Sequence, residues 1–183
     1  IIDTVKVIAK LIKAFTGHEG SIYALEGSGR KDRVFTAGGD RIVSEWDLSG
    51  NEPARGVVKV EAVVYALCHI PERNWLLVGT SEGRMHVIDL EGRKELHNLE
   101  LHKAGIFDLR FHPTTGNIFS ASGDGSIAVL QLDRLDRTER RSLAPGHKIR
   151  AIDFHPLHPE VAFACGDGNI RIYSLERFEE RLV

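Results

Sequence analysis

One short phrase occurs four times along this chain at a nearly constant spacing. Each copy has a tight turn, a strand and a final bulky residue, and the copies lie at 38–48, 80–90, 122–132 and 165–175. Their turn acids follow one another at steps of 42, 42 and 43 residues. Upstream of each copy lies a second motif, which has Tyr23, Tyr65, Phe107 and Arg150 at its equivalent position and keeps the same steps. Two landmarks in one register indicate an internal repeat, in which each unit packs on its neighbours instead of closing its own core.

The repeat length predicts an all-β fold. A period of about 40–45 residues with roughly four short strands is typical of β-propeller blades, and the runs between turns are rich in β-branched and aromatic residues. We expect blades of four antiparallel strands in a single region, 1–183, that forms a partial ring. The four blades are expected at about 16–60, 61–101, 102–144 and 145–183, with 1–15 as the outer strand of a neighbouring or closing blade. Weaker outer strands are expected near 11–15, 57–60, 96–101, 141–144 and 180–183.

Composition narrows the function classes. Lysine and arginine total 24 against 26 for aspartate and glutamate, a net charge of -2, so the chain lacks the positive excess that phosphate-rich partners favour. No apolar run approaches the ~20 residues that span a bilayer. Cys68 and Cys165 suggest neither a metal knuckle nor a disulfide framework. We therefore expect a cytoplasmic protein that binds neither nucleic acid nor membrane.

Dipeptides at the ends of the repeats point to a family. The first repeat opens with Gly17-His18 and closes with Trp46-Asp47, and the pairs at 101–102 and 146–147 repeat the opening. These features resemble WD repeats. The likeness extends over essentially the whole chain, which resembles the N-terminal part of a stand-alone WD-repeat protein.

The resemblance implies a hydrogen-bonded network inside each blade, formed by a histidine, a strand hydroxyl, a turn aspartate and a tryptophan. The residues that match these positions are His18, Asp40, Trp46, Thr80, His102, Ser122, Asp124, His147 and Asp167. No copy is complete. The first repeat has Gly38 where the hydroxyl is expected, the second lacks the histidine, and the third has Leu130 for tryptophan, while the fourth has Cys165 and Tyr173. We expect the second blade to rely on apolar packing instead.

Four repeats are fewer than the seven or eight blades usual in the family. An open array exposes apolar sheet faces and strand edges at both ends. Further blades of a longer protein, dimerisation into an eight-bladed ring, or a split assembly with another chain would cover them. The outer strands expected at 11–15 and at 177–183 favour a chain that ends before its ring is complete.

The resemblance implies protein binding on the face where the innermost strands begin. Six residues are candidates for it: Tyr23, Tyr65, Phe107, Arg150, Arg41 and Arg84. The first four take one position in successive repeats, and aromatic residues and arginine dominate interface energetics. The plainer interpretation is that the rings fill the channel wall. We expect a scaffold that binds partner proteins or peptides there.

Two other functions stay open. The first is a self-assembling propeller half closed by dimerisation. The second, which is less favoured, is a propeller enzyme or small-ligand binder. An enzyme of the glycosidase kind would need paired carboxylates at equivalent inner positions, where this sequence has aromatic residues and arginine. We expect no catalytic residue and no cofactor.

Several motifs have simple explanations. Gly-Asp-Gly at 123–125 and 166–168 resembles part of a calcium loop, but the other ligands are missing and the motif predicts tight turns. Of the nine histidines, His18, His102 and His147 are explained by the repeat. His155 and His158 have no third ligand nearby, so we expect no metal site. Glu45 stands where the other repeats have apolar residues, and we expect it to face solvent or a partner chain. The charged segment 133–141 predicts a solvated linker.

Overall fold

The computed structural model describes residues 9–176, which form an all-β structure. The first sheet contains β1 (Ile22–Gly27), β2 (Arg33–Gly38), β3 (Ile42–Asp47) and β4 (Arg55–Lys59), and the second contains β5 (Val64–Ile70), β6 (Trp75–Thr80), β7 (Arg84–Asp89) and β8 (Lys94–Glu100). The third contains β9 (Ile106–His112), β10 (Asn117–Ser122), β11 (Ser126–Gln131) and β12 (Arg134–Ser142), and the fourth contains β13 (Ile149–Phe154), β14 (Glu160–Cys165) and β15 (Ile170–Ser174). A single 3-10 turn, Pro71–Arg73, interrupts the strands of this part of the chain.

Every sheet is an antiparallel meander in sequence order. Tight turns join the second and third strands, and Gly83, Gly125 and Gly168 occupy the left-handed region there with φ values of 80°, 80° and 85°. Arg41 takes the same place in the first repeat with φ 66°, which costs energy for a residue with a Cβ atom. The repeated turn thus sets the length and direction of each hairpin.

The sheets pack face to face in series. The innermost strands of successive sheets contact one another: β1 packs on β5, β5 on β9 and β9 on β13. Three apolar clusters fill the spaces between neighbouring sheets, with Phe35 and Leu76 in the first, Leu77 and Ile118 in the second and Phe163 in the third. This arrangement of four-stranded sheets, with three strands described in the fourth, confirms the prediction of a partial propeller.

The two end sheets keep one face open. Leu25 in β1 is 70% exposed and Ile170 in β15 is 73% exposed. Leu11 and Ile12, which precede the first sheet, are also exposed. Within residues 9–176 no helix has the length and apolar character needed to cross a membrane.

The outer strands differ most from the sequence-based expectations. Residues 11–15 form no strand, although Lys13 Nζ donates to the carbonyl oxygen of Ser49 over 3.0 Å. The strand expected at 141–144 is instead β12, which begins at Arg134 and includes all but the first residue of the segment 133–141 that was predicted to be a linker. Only Leu135 of β12 is buried, so its alternating charges mark a solvated outer strand. The strand expected at 180–183 lies outside the described residues.

The expectation for Glu45 is also wrong. Its side chain is only 3% exposed and its Oε2 lies 3.0 Å from Arg55 Nη2 and 3.9 Å from Arg33 Nη1. Arg55 comes from the neighbouring strand β4 and Arg33 from β2. The carboxylate therefore faces neither solvent nor another chain, because two guanidinium groups of its own sheet compensate its charge.

Candidate functional site

Each innermost strand contains a β-bulge at the same place. The pairing of the innermost strand with its neighbour skips Tyr23 in β1, Tyr65 in β5, Phe107 in β9 and Arg150 in β13. An extra residue in one strand leaves the ladder and redirects its side chain. The bulge therefore places these four side chains, which we call the aromatic arc, in equivalent positions on successive sheets.

The arc is continuous. The ring centroids of Tyr23 and Tyr65 are 5.3 Å apart in an edge-to-face arrangement, and those of Tyr65 and Phe107 are 5.5 Å apart and stacked. The guanidinium carbon of Arg150 lies 4.5 Å from the Phe107 ring centroid. These distances are those of favourable aromatic and cation–π contacts. The structure thus brings together four of the six residues predicted to bind a partner.

The arc is partly open to solvent. Tyr23 is 56% exposed, Arg150 is exposed, and Tyr65 and Phe107 are partly buried. Gly105 and Gly123 flank the rings, since a Cβ atom built on either glycine would lie within 3.1 Å of Tyr65 or Phe107. The rings therefore rest on backbone and present an edge or a face outward.

The other two predicted binding residues are separate from the arc. Arg41 Nη1 donates to the carbonyl oxygen of Glu61 over 3.3 Å. Arg84 Nε donates to Asn98 Oδ1 over 2.7 Å, and its Nη1 lies 3.4 Å from Glu100 Oε2. Because Asn98 and Glu100 belong to the outer strand β8, the contacts of Arg84 are directed away from the innermost strands.

The first repeat contains a four-residue hydrogen-bond network. His18 Nδ1 lies 2.7 Å from Asp40 Oδ2, and His18 Nε2 lies 2.7 Å from Thr36 Oγ1. Trp46 Nε1 donates to the same hydroxyl over 2.5 Å. The hydroxyl is therefore Thr36, and the prediction that Gly38 marks a missing hydroxyl is wrong. Positions two residues apart in a strand share a face, so the pattern fitted either one.

The third repeat has a modified network. His102 Nε2 lies 2.7 Å from Ser120 Oγ, not from the predicted Ser122, whose hydroxyl donates to the carbonyl of Ala104. His102 Nδ1 lies 2.9 Å from Ser126 Oγ, which donates to Asp124 Oδ1 over 2.6 Å. Ser126 thus joins the histidine to the aspartate. Burial lowers the pKa of His102 to about 4, against the opposing effect of Asp124.

The second and fourth repeats lack this network. The Thr80 hydroxyl bonds only to the backbone of Arg84 among the residues described. His147 is exposed, and the Asp167 carboxylate instead binds the guanidinium of Arg171 over 2.6 and 3.1 Å. That ion pair, more than any other contact, holds the pKa of Asp167 well below its usual range. The predicted pairing of His147 with Asp167 is therefore wrong.

Two carboxylates at the inner edges of the sheets were missed by the sequence reasoning. The backbone N–H of His69 donates to Glu26 Oε1 over 3.1 Å, and that of Ile152 donates to Asp108 Oδ2 over 2.8 Å. Each bond joins one sheet to the next and satisfies an N–H of an innermost strand. Burial raises the pKa of both carboxyl groups. Glu26 and Asp108 occupy different positions in their repeats, so the comparison of repeats hid them.

Metal-ligating and nucleophilic groups are sparse in the described part of the chain. No group of three or more histidine, cysteine, aspartate or glutamate side chains there could hold a metal ion. Cys68 and Cys165 are buried free thiols. Burial raises the pKa of Cys68 to about 12, and a buried protonated thiol is unreactive.

Comparison with known families agrees with this geometry. The family model "WD domain, G-beta repeat" matches residues 9–47, 93–129 and 138–174, which is more than half of the chain. The chain belongs to the WD-repeat family. The matches leave out most of the second repeat, which lacks the network histidine and has Ile88 at the position of Trp46. WD-repeat proteins are generally protein-interaction scaffolds.

Known relatives share only part of their length with this WD-repeat chain. Mouse transducin-like enhancer protein 2 is 25% identical over 117 residues, which cover 64% of this chain and 15% of that protein. Ribosome biogenesis protein ytm1 of Pyrenophora tritici-repentis is 29% identical over 129 residues, covering 66% and 27%. The small ribosomal subunit protein RACK1 of Brassica napus is 28% identical over 92 residues, covering 50% and 28%. The chain therefore spans less than a third of each of these relatives.

Proposed function

We propose that this chain is a non-catalytic interaction module that binds partner proteins or peptides through the aromatic arc. The observation that carries the proposal is the row of three contacting rings at equivalent bulges, with Arg150 at the fourth bulge. Tyrosine and arginine are enriched among the residues that dominate binding energy. A rigid, partly exposed aromatic surface loses little side-chain entropy on binding, and the inter-ring contacts supply that rigidity here.

Binding is favoured over catalysis by the state of the carboxylates near the arc. Glu26 and Asp108 are engaged by backbone N–H groups of the next sheet, and Asp108 Oδ1 also lies 3.3 Å from Arg110 Nε. A general acid or base must reach a proton of the substrate with a free oxygen. Both oxygens of Asp108 and Oε1 of Glu26 are instead engaged by the protein itself.

A library of random dodecapeptides displayed on phage provides the test. Peptides selected on the immobilised chain should bind Tyr65→Ala and Phe107→Ala about tenfold or more weakly than the unmodified chain, since truncating a hot-spot ring typically costs about 2 kcal/mol or more. Leu157→Ala is the matched control, because Leu157 is an exposed apolar residue in the loop at the opposite end of β13. Selected peptides that bind both arc variants normally would refute the proposal.

A second candidate function, self-assembly, is favoured by the open faces of the end sheets. Leu25 and Ile170 present apolar surface at opposite ends of the series of sheets, and a second copy of the chain could cover both. Light scattering across a range of concentrations tests this. A closed two-chain ring would keep twice the mass of the chain on dilution, and Leu25→Lys would convert it to the monomer. A monomer at every concentration would eliminate this candidate.

A further inference from the structure

One end of the aromatic arc carries two cations. The Arg150 guanidinium carbon and the Lys148 ammonium nitrogen lie 4.5 Å and 5.9 Å from the same Phe107 ring centroid. Within residues 9–176 neither cation forms an ion pair with a carboxylate. Arg171 of the same sheet, by contrast, is paired with Asp167. The arc therefore ends in positive charge that the described chain leaves uncompensated.

The cation–π contacts fix these groups without using their hydrogen-bond donors. A ring face attracts the cation as a whole, so the N–H donors of a guanidinium or ammonium remain available to an anion. A ligand that packs on Phe107 would meet those donors at its edge. An anion is the complementary group, and a charged hydrogen bond is stronger than a neutral one.

Charge is distributed unevenly along the arc. Glu82 is exposed in the turn that begins with Ser81, and Ser81 lies beside Tyr65 across Gly105. Lys148 and Arg150 lie at the Phe107 end, where the turn acid Asp124 already accepts bonds from the Lys103 backbone and from Ser126. A ligand with a negative group at the Phe107 end is therefore favoured over one bound in the reverse direction.

We propose that the arc binds an extended peptide segment in which an apolar or aromatic side chain packs on Tyr65 and Phe107 and a nearby carboxylate binds Arg150 and Lys148. The inference rests on the proposed function of the arc. Only the Phe107 ring separates Tyr65 from the guanidinium, so at about 3.3 Å per residue the acidic residue lies within about three positions of the apolar one.

The test uses the peptides selected on the chain that lose affinity on Phe107→Ala. Among these, aspartate or glutamate should be enriched within three positions of an aromatic or aliphatic residue. A synthetic peptide of this group should bind about fivefold more tightly than its Glu→Gln analogue, and this difference should shrink as NaCl is raised. Selection on Lys148→Glu/Arg150→Glu should instead enrich lysine and arginine at the same place.

A charge-matched control separates this site from the net charge of the chain. Arg134 and Arg137 are exposed on the outer strand β12, and Arg134→Glu/Arg137→Glu changes the total charge equally without touching the arc. This control should select the same acidic peptides as the unmodified chain. If it also loses them, long-range charge explains the preference and the proposal is overturned.

The outcomes distinguish this inference from the proposed function. Peptides that depend on Phe107 but show no acidic enrichment, or that bind Lys148→Glu/Arg150→Glu unchanged, would overturn the inference and leave arc binding intact. If a phosphoserine analogue binds more than about tenfold more tightly than the glutamate peptide, the assignment of a carboxylate is overturned and the bound anion is a phosphate. If no selected peptide depends on the arc, both proposals fail.

Discussion

Replacing Thr36 by valine tests how much the hydrogen-bond network of the first repeat contributes to stability. Valine keeps the shape of threonine but removes the hydroxyl that contacts His18 Nε2 and accepts the N–H of Trp46 over 2.7 and 2.5 Å. His18 Nε2 and Trp46 Nε1 are then left without a bond in a largely buried site, although His18 Nδ1 keeps its bond to Asp40. Each such group costs about 1–3 kcal/mol, so we expect Thr36→Val to lower the free energy of unfolding by about 2–4 kcal/mol.

Urea unfolding followed by circular dichroism measures this loss, and hydrogen exchange in β1 to β3 localises it to the first sheet. Local measurement matters because repeat arrays do not always unfold in a single step. Thr138→Val is the matched control. Thr138 is exposed on β12, where the same substitution should change stability by about 0.5 kcal/mol or less.

A double-mutant cycle with Trp46→Phe identifies the partner responsible. Phenylalanine lacks the N–H donor, so in this background Thr36→Val leaves only His18 unsatisfied. The cost of Thr36→Val should therefore fall by about 1 kcal/mol or more. The reasoning is refuted if Thr36→Val costs no more than Thr138→Val, or if its cost is the same with and without the tryptophan.

Two further predictions concern buried titratable groups. The pKa of His102 is about 4 in the folded chain and that of an unfolded histidine is about 6.5, so the unfolded chain binds more protons between these pH values. The contribution of neutral His102 to the free energy of unfolding should therefore be fully present above pH ~6.5. The free energy of unfolding should fall by up to ~3 kcal/mol as the pH drops to ~4. His102→Gln should remove that pH slope, and equal slopes in urea titrations of the two proteins would contradict the assignment. Asp108→Ala should destabilise the chain by about 2 kcal/mol and accelerate hydrogen exchange at the Ile152 amide, which it leaves unpaired. Asp153→Ala, which removes an exposed carboxylate that bonds only to the next residue of its own strand, should have a much smaller effect, and equal effects would show that the bond between sheets contributes little.

The repeat made the fold predictable, because a phrase that recurs at the blade length specifies hairpins whose faces must pack on one another. The inner and middle strands follow the β-branched and aromatic runs between the repeated turns. Most of the outer strand β12 was missed, because a strand with both faces largely in solvent needs no apolar alternation. Its charged sequence therefore looks like a linker, although β11 satisfies its backbone along one edge.

Local geometry in the site was less predictable for two physical reasons. Side chains two residues apart in a strand lie on the same face of the sheet, so the sequence pattern does not distinguish position 36 from 38 or position 120 from 122. The residue that bonds to the histidine is identified only by its distance from the histidine ring in the structure. The inner carboxylates depend on contacts between sheets that repeat comparison does not reveal. For Asp108, the bond to Ile152 spans 44 residues and joins positions that are not equivalent in their repeats.

The position of the aromatic arc does not depend on the histidine networks. The bulge occurs at Tyr65 and Arg150, in sheets without such a network, as well as at Tyr23 and Phe107, in sheets that have one. The backbone register and the packing of innermost strands are therefore sufficient to place the arc. It follows that a variant such as Thr36→Val should weaken the fold while leaving the peptide affinity of the folded protein unchanged. Such a variant offers a way to separate stability from binding in this chain.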